Sequence, residues 1–324
     1  MVAAHELEPP SRSLRSGGDG SWCVDRPTAP QLGPGDALVA VDAVALSEDE
    51  PREPGDCECG DRHCRTLAPG WAGRVEATGP GASPRLAGRK VVVRTEALTD
   101  VLHAHDVRNG HVVVQQHALH LLPDTADLGA AALVPPAALA TQAFQAASVK
   151  PSERVVVLGA GVTGLMLVQL LSAMSPLDLT VVDPSPERGT LALEFGATQH
   201  CTTVDGARVR NLFDVVLETT GTRAAPHAAC LLAARAGRVV FMRSFPPGTR
   251  PLDRVQMSLR ELTFRSAGVA SSAAWSAAVR SLAAGVLDPR PLITRELPLT
   301  SLVDGGCAVR ETDAEALATV LVHP

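Results

Sequence analysis

The chain has no tyrosine at all, and aromatic residues make up only 3% of it. A tyrosine general acid is therefore excluded, and a large flat substrate would find few side chains to stack on. Lysine is nearly missing too, with Lys90 and Lys150 the only two, and the net charge is −6. Neutralising phosphates needs a basic face, so this balance argues against a nucleic-acid partner. No basic segment followed by an apolar run opens the chain, so no secretory signal is expected. Seven cysteines are an odd number in a long, apolar-rich chain. That pattern points to reduced thiols and a cytoplasmic protein rather than a disulfide framework. Internal repeats and low-complexity tails are also lacking. What remains is 324 residues at 45% apolar content, enough for two domains with a core each.

The most informative stretch is Arg154 to Leu170, RVVVLGAGVTGLMLVQL. It places Gly159, Gly161 and Gly164 between the apolar run Val155 to Leu158 and a stretch of helical period. A second apolar run, Leu179 to Val182, ends on Asp183, about 20 residues past the last glycine. Strand, glycine turn, helix, strand and acid in that order form a dinucleotide fingerprint. Gly159 permits the sharp turn, Gly161 lets backbone approach a pyrophosphate, and Gly164 lets helix and sheet pack closely. Val162 opens the helix, whose unpaired N–H groups face the phosphates. Asp183 would accept from the ribose hydroxyls and repel a 2′-phosphate, which favours NAD, while Arg188 nearby keeps NADP open. Val155 to Met174 carries no charge, but the glycines and the closely following Asp178 and Asp183 argue against a membrane span.

Elsewhere the pattern changes along the chain. Ala37 to Val44 alternates as a half-buried strand, and short β runs follow at Gly73–Ala77, Lys90–Val93 and His111–Val114. An alanine-rich stretch, Ala126–Val149, suits one connecting helix. After Asp183, Ser185 is a candidate N-cap with Pro186 at the first helical position and Gly196 as the stop. Strands are expected at Phe213–Leu217 and Arg238–Met242, with helices at Ala224–Ala234 and Ser271–Ala284. This alternation implies an α/β fold with a parallel sheet covered on both faces.

The order of these parts resembles the medium-chain dehydrogenase/reductase family, the relatives of zinc alcohol dehydrogenase. The likeness is carried by Leu32–Val44, Trp71–Val75, Pro123–Phe144, Asp214–Gly221 (DVVLETTG), Gly237–Val240 and Pro289–Leu299, as well as by the fingerprint. It implies a GroES-like β-rich catalytic domain over residues 1–125, completed by 288–324. A Rossmann doubly wound parallel-sheet domain would occupy 126–287, with a small-molecule substrate in the cleft. It also implies a homodimer paired through sheet edges near Phe264–Val269. Thr220, at the end of its strand, would border the nucleotide.

Departures from the family pattern bear on mechanism. Zinc-dependent relatives carry a cysteine where this chain has Ser47, and Gly-His-Glu where it has Ala68-Pro69-Gly70. Their third ligand falls at Pro135-Pro136. A proline side chain has no donor atom, and a neutral hydroxyl binds zinc far more weakly than thiolate or imidazole. No cysteine lies between Val93 and His111, so the structural zinc lobe is missing as well. No catalytic zinc is therefore expected, and another group must manage the charge that zinc would stabilise. Ser47 and Asp49 are the catalytic candidates, Asp49 standing where relatives relay protons through a hydroxyl, with Glu50, His63 and His111 as further possibilities. One alternative keeps a metal at Cys57, Cys59, His63 and Cys64, although C-x-C spacing is unlike ordinary zinc knuckles. The expected activity is zinc-independent, NAD(P)(H)-dependent hydride transfer to or from a carbonyl, imine or activated alkene. The alternative is a catalytically inactive nucleotide-binding regulator or partner subunit of the same fold.

Overall fold

Alternation from Asp36 onward becomes a long strand because every second side chain finds a core to enter. The computed structural model describes residues 13–16, 22–25, 31–47, 70–94, 110–210, 212–298 and 317–322. β1 (Ser13–Ser16) and β2 (Trp22–Asp25) pair antiparallel as a separate ribbon. β3 (Asp36–Ser47), β4 (Gly70–Thr78), β5 (Lys90–Val93), β6 (His111–Gln115) and β7 (Leu119–Leu121) begin the first large sheet. Val39, Val41, Trp71, Val75, Val91 and Val93 form a core of their own between these strands.

The alanine-rich connection is two helices rather than one, α1 (Leu128–Ala131) and α2 (Val134–Ala147). Pro135 and Pro136 lack the N–H that a helix interior needs and fit only a first turn, so the helix must restart there. Asp127 caps α1 by accepting from the Ala130 N–H at 3.2 Å.

β8 (Arg154–Leu158), α3 (Val162–Ser172), β9 (Asp178–Val182), α4 (Pro186–Glu194), β10 (Gln199–Cys201) and α5 (Val204–Arg210) then alternate. β11 (Phe213–Glu218), α6 (Ala225–Leu232), β12 (Ala233–Phe241), α7 (Arg254–Leu259), β13 (Thr263–Ser266) and α8 (Ser272–Ala283) continue the pattern. These strands form one parallel sheet in the order β10-β9-β8-β11-β12-β13. All five residues of β9, and Val155 to Leu158 of β8, are buried, as a parallel sheet covered on both faces requires. The chain winds outward in both directions from β8, so the boundary between β8 and β11 is the topological switch point, where a crevice opens.

β14 (Ile293–Pro298) and β15 (Ala318–Val322) return to the first sheet, which reads β14-β15-β3-β4-β5-β7, with β6 also on β3. Strands from before and after the parallel sheet in sequence thus build one sheet. One apolar cluster joins the two, running from Ala43, Ala72 and Val92 through the alanines of α2 to Val155, Val157 and Leu217.

Candidate nucleotide-binding crevice

The switch point is built by the turn after β8. Gly159 has φ +99°, and a Cβ there would stand 2.6 Å from Thr219 Oγ1 and 2.7 Å from Thr220 Cγ2. Only glycine meets both demands. A Cβ on Gly164 would stand 2.1 Å from the Gly159 carbonyl oxygen, so α3 crosses hard against the turn. Gly161 is the N-cap of α3, and no side chain caps that end. By contrast, Ser185 caps α4 and Ser271 caps α8. Val162 is fully buried, so backbone is what it offers the crevice.

Asp183, just past β9, is 7% exposed. Its Oδ2 accepts from the Ala160 N–H at 2.8 Å, inside the glycine turn, and its Oδ1 accepts from the Ser185 N–H at 2.9 Å. Behind it, His200 Nε2 lies 2.8 Å from the Asp183 carbonyl oxygen, its ring filling the space where a Gly189 Cβ would be. The carboxylate is therefore fixed in position, with Arg188 in the first turn of α4, where its N–H donates to Ser185 Oγ at 3.2 Å. The structure thus gathers Gly159, Gly161, Val162, Gly164, Asp183 and Arg188 about one turn.

Thr220 is exposed at the end of β11, opposite that turn. It is held by Glu218, which sequence reasoning passed over as one more strand residue. Glu218 has no exposed surface, and its carboxylate accepts from the Thr220 N–H at 2.6 Å, Thr220 Oγ1 at 2.6 Å and the Gly221 N–H at 3.0 Å. Burial pushes its carboxyl above the usual carboxylate range, while these hydrogen bonds and the charge of Arg243 pull it back.

In the first sheet, Ser47 ends β3 with its backbone opposite Ala318 of β15. The Ser47 side chain, and all of Asp49, Glu50, Cys57, Cys59, His63 and Cys64, lie outside the described residues. Gly70 opens β4 against the helical connection: a Cβ there would fall 1.5 Å from the Ala132 carbonyl oxygen and 2.8 Å from Pro135 Cδ. His111 does not approach Ser47. It faces Ala40 in the β3 register and bonds Glu76 at 2.9 Å, on the order of 20 Å along the strand from Ser47. Among the described residues no group of three or more His, Cys, Asp or Glu could hold a metal ion. Nor is any helix among them long and apolar enough to cross a membrane.

A switch-point crevice on a six-stranded parallel sheet, joined to a β-rich sheet from both sides of the sequence, defines a two-part dehydrogenase fold. The chain is similar to zinc-type alcohol dehydrogenases of the medium-chain dehydrogenase/reductase family. The family model described as zinc-binding dehydrogenase matches residues 161–284, a span that contains none of Ser47, Pro69 or Pro135. An uncharacterized zinc-type alcohol dehydrogenase-like protein of Escherichia coli K12 is 27% identical over 53% of this chain and 51% of its own length. The match therefore spans about half of that relative. (R,R)-butanediol dehydrogenase of Bacillus subtilis is 26% identical over 74% of this chain and 76% of its own. In fold, the chain is similar to an alcohol dehydrogenase from Escherichia coli CFT073 solved with NADH. That likeness has a TM-score of 0.79 and 17% identity, and covers 96% of this chain and 98% of that one.

Proposed function

We propose that this protein is an NAD(H)-dependent oxidoreductase that transfers hydride to or from a small carbonyl, imine or activated alkene without a catalytic zinc. The observation that carries the reading is the Asp183 carboxylate, anchored at 2.8 Å to the N–H of Ala160 within the glycine turn. Gly159, Gly161, Gly164 and the first N–H groups of α3, beginning with Val162, would hold the pyrophosphate. Asp183 would accept from the adenosine ribose, with Arg188 beside it and Thr220 at the opposite wall. A nicotinamide, when bound, supplies the hydride acceptor or donor. Ser47 and Asp49 are the residues of this chain that would move the accompanying proton.

The donor chemistry supports the zinc-independent reading. Pro135 has no donor atom, and Gly70 has neither a donor nor room for one. These residues do not fit a catalytic zinc. The same packing favours a second reading, a nucleotide-binding protein that has lost turnover. As in the family, a homodimer would form along the free edge of β13.

NADH fluorescence titration of the wild type and of Asp183→Ser, repeated with NADPH, tests the reading. Asp183→Ser should weaken NADH at least fivefold more than NADPH. Equal losses would refute the ribose assignment, and no binding at all would refute both readings. Turnover of any member of a ketone, enone and alcohol panel that survives a chelator supports the enzyme, whereas binding without turnover favours the second reading.

A further inference from the structure

Arg243 follows directly on β12, whose end is tied to β11 by the Met242 N–H donating to the Glu218 carbonyl at 3.0 Å. Its side chain folds onto the neighbouring loop. The Arg243 Cβ and Cδ each lie 3.1 Å from where a Gly221 Cβ would be, at a glycine whose φ is +63°. The side chain thus runs over the loop that follows β11, and the residue is half-buried. It has no hydrogen-bond or ion-pair partner among the described residues. The Glu218 carboxylate, which its charge influences, makes no ion pair with it and spends Oε1 on Thr220 and Gly221.

More positive charge stands beside it. Arg223, on the same loop as Gly221, spends its Nε on the Pro247 carbonyl at 3.0 Å, and its terminal amino groups have no partner among the described residues. The Arg250 N–H donates to the Arg223 carbonyl at 2.9 Å, so the loop after β12 is strapped to the loop after β11. That loop's one carboxylate, Asp253, is committed to capping α7 through the N–H groups of Val255 and Gln256. Guanidinium forks without a carboxylate partner, held on two tethered loops, are shaped to receive a planar or tetrahedral oxyanion.

The sheet order says which oxyanion. The anion-binding turn belongs to β8, and β12 stands two strands away, about 10 Å at ordinary strand spacing. On the reading given above, the adenosine lies over β9 and the pyrophosphate over β8. The far half of the dinucleotide, with the reacting ring, then lies over β11 and β12. We infer that Arg243, aided by Arg223, is an oxyanion receptor for a phosphate or carboxylate group on the substrate. The position rests on the nucleotide reading, but the receptor itself does not.

Calorimetric titration of the apoprotein with inorganic phosphate, and separately with malonate, tests the receptor without any cofactor. Arg243→Met should weaken at least one of these anions fivefold or more, Arg243→Lys less, and Arg223→Met about twofold, with unfolding midpoints close to wild type. Because Arg243 is half-exposed, Arg243→Gln serves as a second variant if Arg243→Met is unstable. Failure of both anions to bind the wild type, or equal binding in the variants, overturns the proposal. Phosphate that displaces NADH, together with an equal loss of NADH affinity in Arg243→Met, also overturns it by giving the guanidinium to the cofactor. A protein that binds phosphate through Arg243 but not NADH would sink the nucleotide reading and leave the receptor standing.

Discussion

Glu218 shows how one buried side chain shapes a binding wall. Its carboxylate replaces water for three donors of the Thr220–Gly221 corner, which fixes the loop facing the glycine turn. Taking that charge out of water is costly, and the hydrogen bonds only partly offset the cost. The sign of the pH effect follows. A carboxyl whose folded pKa is raised resists ionisation in the fold, so its cost is absent below the unfolded value and grows as pH rises past it. Glu218→Gln keeps an oxygen for the Thr220 and Gly221 N–H groups and carries no charge. The melting midpoint of Glu218→Gln relative to wild type should therefore rise, by ~2 °C or more, between about pH 4 and about pH 7. A flat or falling difference would show that the ionised form is not penalised.

Among elements, the β8–α3 junction is set by close approach rather than by propensity. With the Gly159 oxygen 2.1 Å from a Gly164 Cβ, Gly164→Ala must push α3 off the turn. Overpacking of this kind costs ~1–3 kcal/mol. Chemical denaturation should show that loss, and NADH titration should show weakened binding; an unchanged denaturation midpoint would mean that α3 rides free of the turn. This junction was legible in sequence, because glycine spacing, an apolar run and a following acid are local signals. So was α4, bounded by Ser185, Pro186 and Gly196, with Gly196 at φ +101°. Other elements were not legible. β10 has three residues, too few to show a period, and exists because it can pair with β9. β12 begins at Ala233, directly after α6, and passes through Ala236 at φ +57° with a register shift against β11. Sequence alone would extend the helix there and start the strand at Arg238. Arg243 reads as a loop charge until the sheet order sets it beside the crevice, and Glu218 reads as strand until its burial is known.

At the scale of the whole molecule, the two sheets meet through more than a continuous core. His120 on β7 stacks on Trp275 of α8, with ring centroids 5.3 Å apart and planes 13° from parallel. Beside it, Arg94 donates to Ser272 Oγ at 2.5 Å. Burial lowers the His120 pKa from the usual histidine range, and the positive charge of Arg94 lowers it further. The neutral ring is thus the one that suits the joint. For a histidine with a depressed folded pKa, the unfolded chain takes up its proton first, so stability falls as pH drops through the unfolded value near 6.5. His120→Phe keeps a ring to stack on Trp275 and removes the proton. The variant should gain on wild type in thermal midpoint between about pH 7.5 and about pH 5. Because the apolar cluster spans both sheets, the melt should remain one transition across that range. A joint that opens on its own would instead give two separated transitions in acid, the first removed by His120→Phe. A pH-independent difference between the two proteins would show that the imidazole does not titrate against the contact at all.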